Sequence, residues 1–221
     1  MTVAMDRIVE KAKPVAGALL EAAAADLEFA DGGYRIAGTD RRVAMAEVLR
    51  AVGAEGGLEA RASIRAEQHT FPNGCHVCEL EVDPETGATR LLAYHMVQDV
   101  GVVVNPMIVE GQLHGGVGQG IGQALYEHTV YDSDGQLLSG SFMDYCVPRA
   151  GDVPSLGVTL DGTPCPSNPL GVKGCGESGA CASPPAILNA LLDALAPLGI
   201  TRIDMPATPE RVWRAIRAAR A

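Results

Sequence analysis

Apolar positions recur at helical spacing near both ends of the chain and alternate at strand spacing in its middle. From about Ala4 to Ala25 the chain is rich in Ala, Leu, Glu and Lys and predicts a helix. Pro14 lies inside it and lacks the N–H that the helix would use, which predicts a kink or break. Asp31-Gly32-Gly33 predicts a turn, Tyr34 to Ala37 a short strand, Val43 to Val52 a short helix, and Gly53 to Ala60 a loop. From His76 to Val82 the faces alternate, with Val77 and Cys78 blurring the pattern. Asp83-Pro84-Glu85-Thr86-Gly87 supplies turn residues and Thr89 to Asp99 the returning strand, a hairpin with a loop longer than two residues. Pro106 suits the first turn of a helix running to about Glu127.

The second half is punctuated by glycine and proline. Tyr131 to Gly135 predicts a turn, and Ala150 to Pro185 a long loop whose one strand candidate is Leu156 to Leu160. A loop of that length inside a compact domain is usually functional or disordered, and ordered apolar segments close on both sides of this one. Ser183 before Pro184-Pro185 predicts a capped helix start, with Ile187, Leu188, Leu191, Leu192 and Leu195 on one face and Gly199 as the stop. Ile200 to Ile203 predicts a short strand. Thr208-Pro209-Glu210 starts a last helix with Val212, Trp213 and Ile216 as its buried stripe. Arg211, Arg214, Arg217 and Arg220 then form one solvated or partner-facing stripe. The fold class is α+β: helices packed on a mixed or antiparallel sheet, one module over 1–221 with a helical lead-in over 1–65.

Composition narrows the partners. About half the 221 residues are apolar and a fifth charged, enough for a substantial core, and the net charge of −10 argues against nucleic acid or an anionic membrane surface. No basic segment followed by an apolar run opens the chain, and no uninterrupted apolar stretch approaches a membrane span. Six irregularly spaced cysteines do not resemble a secreted disulfide framework and predict a reducing, cytoplasmic setting.

Three features could carry chemistry. Six glycines fall in Glu110 to Gln123, a segment patterned as helix. Each costs a helix interior roughly 0.8–1 kcal/mol, about 5 kcal/mol together. Something requires backbone without side chains: tight helix packing through Gly111/Gly115 and Gly118/Gly122, or a ligand close to the backbone, with Gln112 offering donor and acceptor. In Gly171 to Gly179, glycines free backbone N–H groups to converge on an anion, Lys173 adds a positive charge, and Glu177 sits where a substrate could reach it. The same residues also describe a solvated surface loop. Cys75-His76-Val77-Cys78 has half of a zinc or redox spacing, yet on a strand the two thiols face opposite ways. No metal ligand set is expected.

Asp99 to Gln112, Gln119 to Glu127 and Gly171 to Glu177, in that order, resemble the molybdopterin-binding region of the xanthine dehydrogenase/aldehyde oxidase family, in particular its C-terminal part in large subunits of the aerobic carbon monoxide dehydrogenase type. Tyr131 to Gly135, Ser141 to Tyr145, Asn168 to Gly171 and Thr208 to Trp213 extend the likeness over nearly the whole chain. The resemblance implies a molybdenum hydroxylase subunit that hydroxylates a substrate carbon, in an aldehyde, an N-heterocycle or a similar compound, with water-derived oxygen and Glu177 as base. It implies that Lys173, Gly174, Cys175 and Gly176 touch the pterin, that Gln112 lies at the cofactor, and that Val102, Val103, Val104, Asn105, Pro106, Met107 and Ile108 lie along its pyranopterin or nucleotide part. The cofactor it implies is molybdopterin, in cytosine dinucleotide form, shared with a partner that carries the first half of the molybdenum site. Iron–sulfur clusters and FAD are expected on further partner subunits, so the chain would act only in complex. The alternative is a non-catalytic interaction subunit that keeps the fold without cofactor.

Overall fold

The computed structural model describes residues 1–53, 57–63, 65 and 68–221. Part of the loop expected over Gly53 to Ala60 lies outside these. The chain forms two compact units, Met1–Arg65 and Ala66–Ala221.

Unit 1 is a helix pair with a small sheet rather than a purely helical segment. Helix α1 (Thr2–Leu20) runs unbroken through Pro14. Pro14 faces solvent, where water can bond the carbonyl it leaves free, while Ala12, Ala16 and Leu20 on the other face are buried. Strands β1 (Leu27–Ala30), β2 (Gly33–Ile36) and β3 (Arg42–Ala44) form an antiparallel sheet. Asp31 and Gly32, both at positive φ, join β1 to β2. Two consecutive left-handed residues suit the tight hairpin, which is why Asp-Gly stands there. Helix α2 (Met45–Val52) follows, its start satisfied by the Glu47 carboxylate accepting from the Ala44 N–H. The buried Tyr34 donates its hydroxyl to the Val9 carbonyl at 2.6 Å and ties the sheet to α1.

Unit 2 is built on a mixed sheet, β4 (Asn73–Val82), β5 (Thr89–Asp99) and β6 (Leu156–Leu160), with β4 and β5 antiparallel and β6 parallel to β5. Helices α3 (Pro106–Ile121) and α4 (Ser178–Leu195) pack on each other and α4 packs on β4. Leu113, Val117, Ile121, Ile187, Leu191 and Leu195 are buried between them. Asn105 caps α3 by accepting from the Ile108 N–H, with Pro106 in the first turn. Past Ile121 the helix widens into a π-helical turn (Gly122–Tyr126), whose Ala124 carbonyl accepts from the Ala207 N–H at 2.6 Å. Helix α5 (Pro209–Ala219) closes the unit, capped by Thr208.

Three further expectations fail for identifiable reasons. Helix α4 begins at Ser178, not at Ser183, so Pro184 and Pro185 lie inside it. The Ser183 hydroxyl donates to the Ala180 carbonyl, which Pro184 cannot do. Ile200 to Ile203 forms no strand; Ile200 and Ile203 contribute to the core without a sheet partner. Trp213 is not fully buried but 38% exposed, its outer ring covered by Arg217 at 5.6 Å. In addition, Ser178–Leu198 is long and apolar enough to cross a membrane by length and composition. Within the fold its Ile187, Leu191 and Leu195 are core residues.

Candidate functional site

The glycines of α3 divide into two sets. A side chain at Gly116 would stand 2.7 Å from the Ala180 nitrogen and 2.8 Å from Gly179 Cα, both backbone of α4, and one at Gly120 would collide with Ser183. These glycines let α3 and α4 meet at backbone distance. Gly111, Gly115 and Gly118 have open space where a side chain would go. The packing pairs expected from spacing, Gly111/Gly115 and Gly118/Gly122, are therefore not the ones used. Only Gly122 of those four is closed in, by Glu127 and Pro148.

The close α3–α4 contact fixes the start of α4, and Glu177 is the residue at that start. Its carbonyl accepts from Ala180 and Cys181 N–H groups, and its carboxylate is exposed and makes no capping bond. Upstream, the loop is stitched to the end of β5. Val102 N–H donates to the Gly171 carbonyl and Lys173 N–H to the Val100 carbonyl, each at 2.9 Å. Gly101, at positive φ, lies so close to Gly171 that only glycine fits. The Lys173 ammonium donates to Asp99 Oδ2 at 2.5 Å, with both side chains largely covered. Asp99 Oδ1 also accepts from Gly101 and Thr163 N–H groups. The Lys173 hydrogen bond, joined by these two, holds the Asp99 carboxyl below the usual range. The Lys173 charge is thus matched within the chain, and what the loop exposes is backbone and Glu177.

A cavity of about 550 Å³ opens beside Glu177. Its walls include Gly174, Gly176, Glu177 and Ser178 from the loop and the start of α4, with Asn73, Gly74 and Gln98 from the sheet. Gly174 and Gly176 are exposed with open space at their missing side chains. The Ser178 hydroxyl is buried and has no hydrogen-bond partner. A buried hydroxyl without a partner costs on the order of 1–3 kcal/mol. A larger hollow of about 880 Å³ lies on unit 1, lined by Arg35, Arg42 and Arg50 among exposed acidic residues. It has no orphaned buried polar atom, so the smaller cavity is the candidate.

The expected site residues are only partly gathered. Gly174, Gly176 and Glu177 line the cavity; Cys175 turns into the core. Gln112 is exposed on α3. Val102, Val104, Met107 and Ile108 are exposed around the start of α3, Val103 is half-buried, and Asn105 and Pro106 form the cap. Reading the sequence missed Ser178, Gly74 and Gln98. A glycine opening a strand was the available signal for Gly74; nothing local marked the other two. Cys75 is exposed and Cys78 half-buried against the core, on opposite faces of β4.

The model of a family described as molybdopterin cofactor-binding domain matches residues 1–154. The nicotine 6-hydroxylase large subunit of Paenarthrobacter nicotinovorans is 40% identical over 95% of this chain and 27% of its own length. A crystal structure of quinoline 2-oxidoreductase from Pseudomonas putida 86 superposes with a TM-score of 0.85 at 40% identity, over 95% of this chain and 28% of that one. A Cu,Mo-CO dehydrogenase structure superposes with a TM-score of 0.89 at 32% identity, over 98% and 28%. The chain therefore spans little more than a quarter of the length of these relatives.

Proposed function

The chain belongs to the molybdopterin cofactor-binding domain family, and from that premise we propose that it forms one wall of the molybdenum site of a multi-subunit hydroxylase, with Glu177 as the base. The observation that carries the reading is the cavity at the start of α4: an exposed carboxylate, two glycines with no side chain to fill the space, and the orphaned Ser178 hydroxyl. Those features fit a large, polar, planar ligand brought against backbone. Gly174, Gly176 and Ser178 would hold it at the cavity, and Gln112 and the Val102–Ile108 segment would extend the contact. When bound, the molybdenum cofactor supplies the two-electron oxidant for hydroxylation of a substrate carbon with water-derived oxygen.

The chain's own part is to place and relieve a proton. Glu177 accepts it from the attacking water as the new carbon–oxygen bond forms, a role in which a positioned base contributes about 10²–10⁴-fold. Its backbone is fixed by the first turn of α4, so the carboxylate moves only about its side-chain torsions. The Asp99–Lys173 pair holds the loop that presents it. In this chain Glu177 faces open solvent. Excluding water from it falls to a partner that carries the first half of the molybdenum site, and iron–sulfur and flavin subunits would take the electrons onward. Activity is then a property of the complex, with the cofactor in its cytosine dinucleotide form. The nicotine 6-hydroxylase and quinoline 2-oxidoreductase names favour an N-heterocycle as substrate class.

The test is Glu177→Gln in the assembled complex. Turnover drops by at least about 10²-fold while molybdenum per protomer, measured by mass spectrometry, equals the parent's. Turnover within a few-fold of the parent sinks the assignment.

A further inference from the structure

The face of the sheet that meets α4 should be apolar throughout. On β5 it carries Tyr94, Met96 and then Gln98, which is only 3% exposed. On β4 the same face carries Cys78, His76 and Gly74, and Gly74 stands directly opposite Gln98. A side chain at Gly74 would overlap every atom of the Gln98 amide, the nearest of them the nitrogen and both ends of its C=O. Glycine at position 74 therefore leaves the room that the amide fills. The Gln98 Nε2 lies 2.6 Å from His76 Nε2, and His76 Nδ1 lies 2.7 Å from Tyr94 Oη. With the amide nitrogen turned to the ring, His76 Nε2 accepts and its proton resides on Nδ1, donated to the tyrosine oxygen. Burial pushes the His76 pKa down, which favours the neutral ring this arrangement needs. The amide is thus spent on one side only. Gln98 lines the cavity beside Glu177, and no group among the described residues donates to its Oε1.

We propose that Gln98 is a ligand-binding residue of the Glu177 cavity, offering its Oε1 to an N–H on the edge of a planar heterocycle, and that His76, backed by Tyr94, positions it. The inference rests on the proposed cofactor site and adds a residue and a direction to it. Two heterocycles could bring the N–H: the pterin or the substrate.

The experiment uses the complex assembled with its partner subunits, in four forms: parent, Gln98→Leu, Gln98→Glu and His76→Phe. Three quantities are read from each: pterin nucleotide lost on dilution over time, the thermal midpoint, and binding of two probes by titration calorimetry. The probes are hypoxanthine, which has ring N–H groups, and quinoline, which has none. If the pterin supplies the N–H, Gln98→Leu loses nucleotide about tenfold faster. His76→Phe then falls between it and the parent, and Gln98→Glu, which keeps an acceptor, restores retention. If the substrate supplies it, retention is unchanged and Gln98→Leu weakens hypoxanthine about tenfold but not quinoline. A purely structural role lowers the midpoint in all three variants, Gln98→Glu included, and overturns the inference. So do variants that match the parent in retention and in both affinities while the parent is loaded. A parent complex without any pterin nucleotide overturns the proposed function itself.

Discussion

Gly115 and Gly116 are neighbours in sequence and should respond to the same substitution with opposite sign. Alanine at either position recovers the helix propensity that glycine forfeits, roughly 0.8–1 kcal/mol. At Gly115 nothing stands within 4 Å of the added methyl, so that gain is the whole effect in the isolated chain. At Gly116 the methyl meets the α4 backbone at 2.7 and 2.8 Å, well inside the roughly 3.5 Å of an ordinary carbon contact. Backbone cannot rotate aside, so α4 must shift by most of an ångström against Leu113 and Val117, which are wholly buried. Overpacking of that kind costs about 1–3 kcal/mol. Set against the propensity gain, Gly116→Ala is destabilised by about 0–2 kcal/mol and lies about 1–3 kcal/mol below Gly115→Ala. Urea unfolding followed by Trp213, the single tryptophan and a reporter of unit 2, measures the difference. Equal midpoints, or Gly116→Ala the more stable, would refute the packing account of α3. The same pair also tests the open face: if a ligand or partner approaches the backbone at Gly115, Gly115→Ala is the more stable chain but assembles or loads poorly.

Two further predictions concern the sheet. Burial lowers the pKa of His76, so the unfolded chain binds its proton more readily than the folded one. This group's contribution is therefore fully present above about pH 6.5 and declines as pH falls from there through the lower folded value. The urea midpoint of the parent should fall between pH 7.5 and 5.5 by more than that of His76→Phe, and equal falls would contradict the assignment. Burial also pushes the Cys78 thiol up to about 11, whereas Cys75 is exposed. A thiol reagent at pH 8 should lose one fast equivalent in Cys75→Ser and none in Cys78→Ser; joint reactivity, or zinc released by the reagent, would revive a paired-cysteine site.

What the sequence made legible follows the range of the interaction that decides each feature. The β4–β5 hairpin, the Asn105–Pro106 and Thr208–Pro209 helix starts and the Gly199 stop depend on residues a few positions apart, and all appear where local chemistry puts them. Strands β1 and β3, four and three residues long, are too short to show a period. The true start of α4 was hidden because two adjacent prolines look like a first turn, and only the Gly116–Gly179 contact reveals that the helix is already running at Ser178. The candidate site divides the same way. The loop 171–177 is visible as a motif, but Gln98 reads as one more inward position of a strand. It becomes a site residue only through the register that sets it opposite Gly74 and diagonal to His76, two strands folded back on each other.

Several positions break local rules without a return inside the chain. Gly111, Gly115 and Gly118 each forfeit helix propensity and touch nothing. Val104, Met107 and Ile108 present apolar surface to water at the start of the same helix. Ser178 buries a hydroxyl with no partner, and Glu177 stands open where a base would need shelter. On the packed side of α3, by contrast, each glycine is matched by a specific backbone or side-chain neighbour. Sequences that specify a fold are consistent at every level except where function overrides it. Helix α3 thus has a satisfied face, which holds the start of α4 and Glu177 in place, and an unsatisfied face, which the proposed function would assign to a ligand or a partner chain.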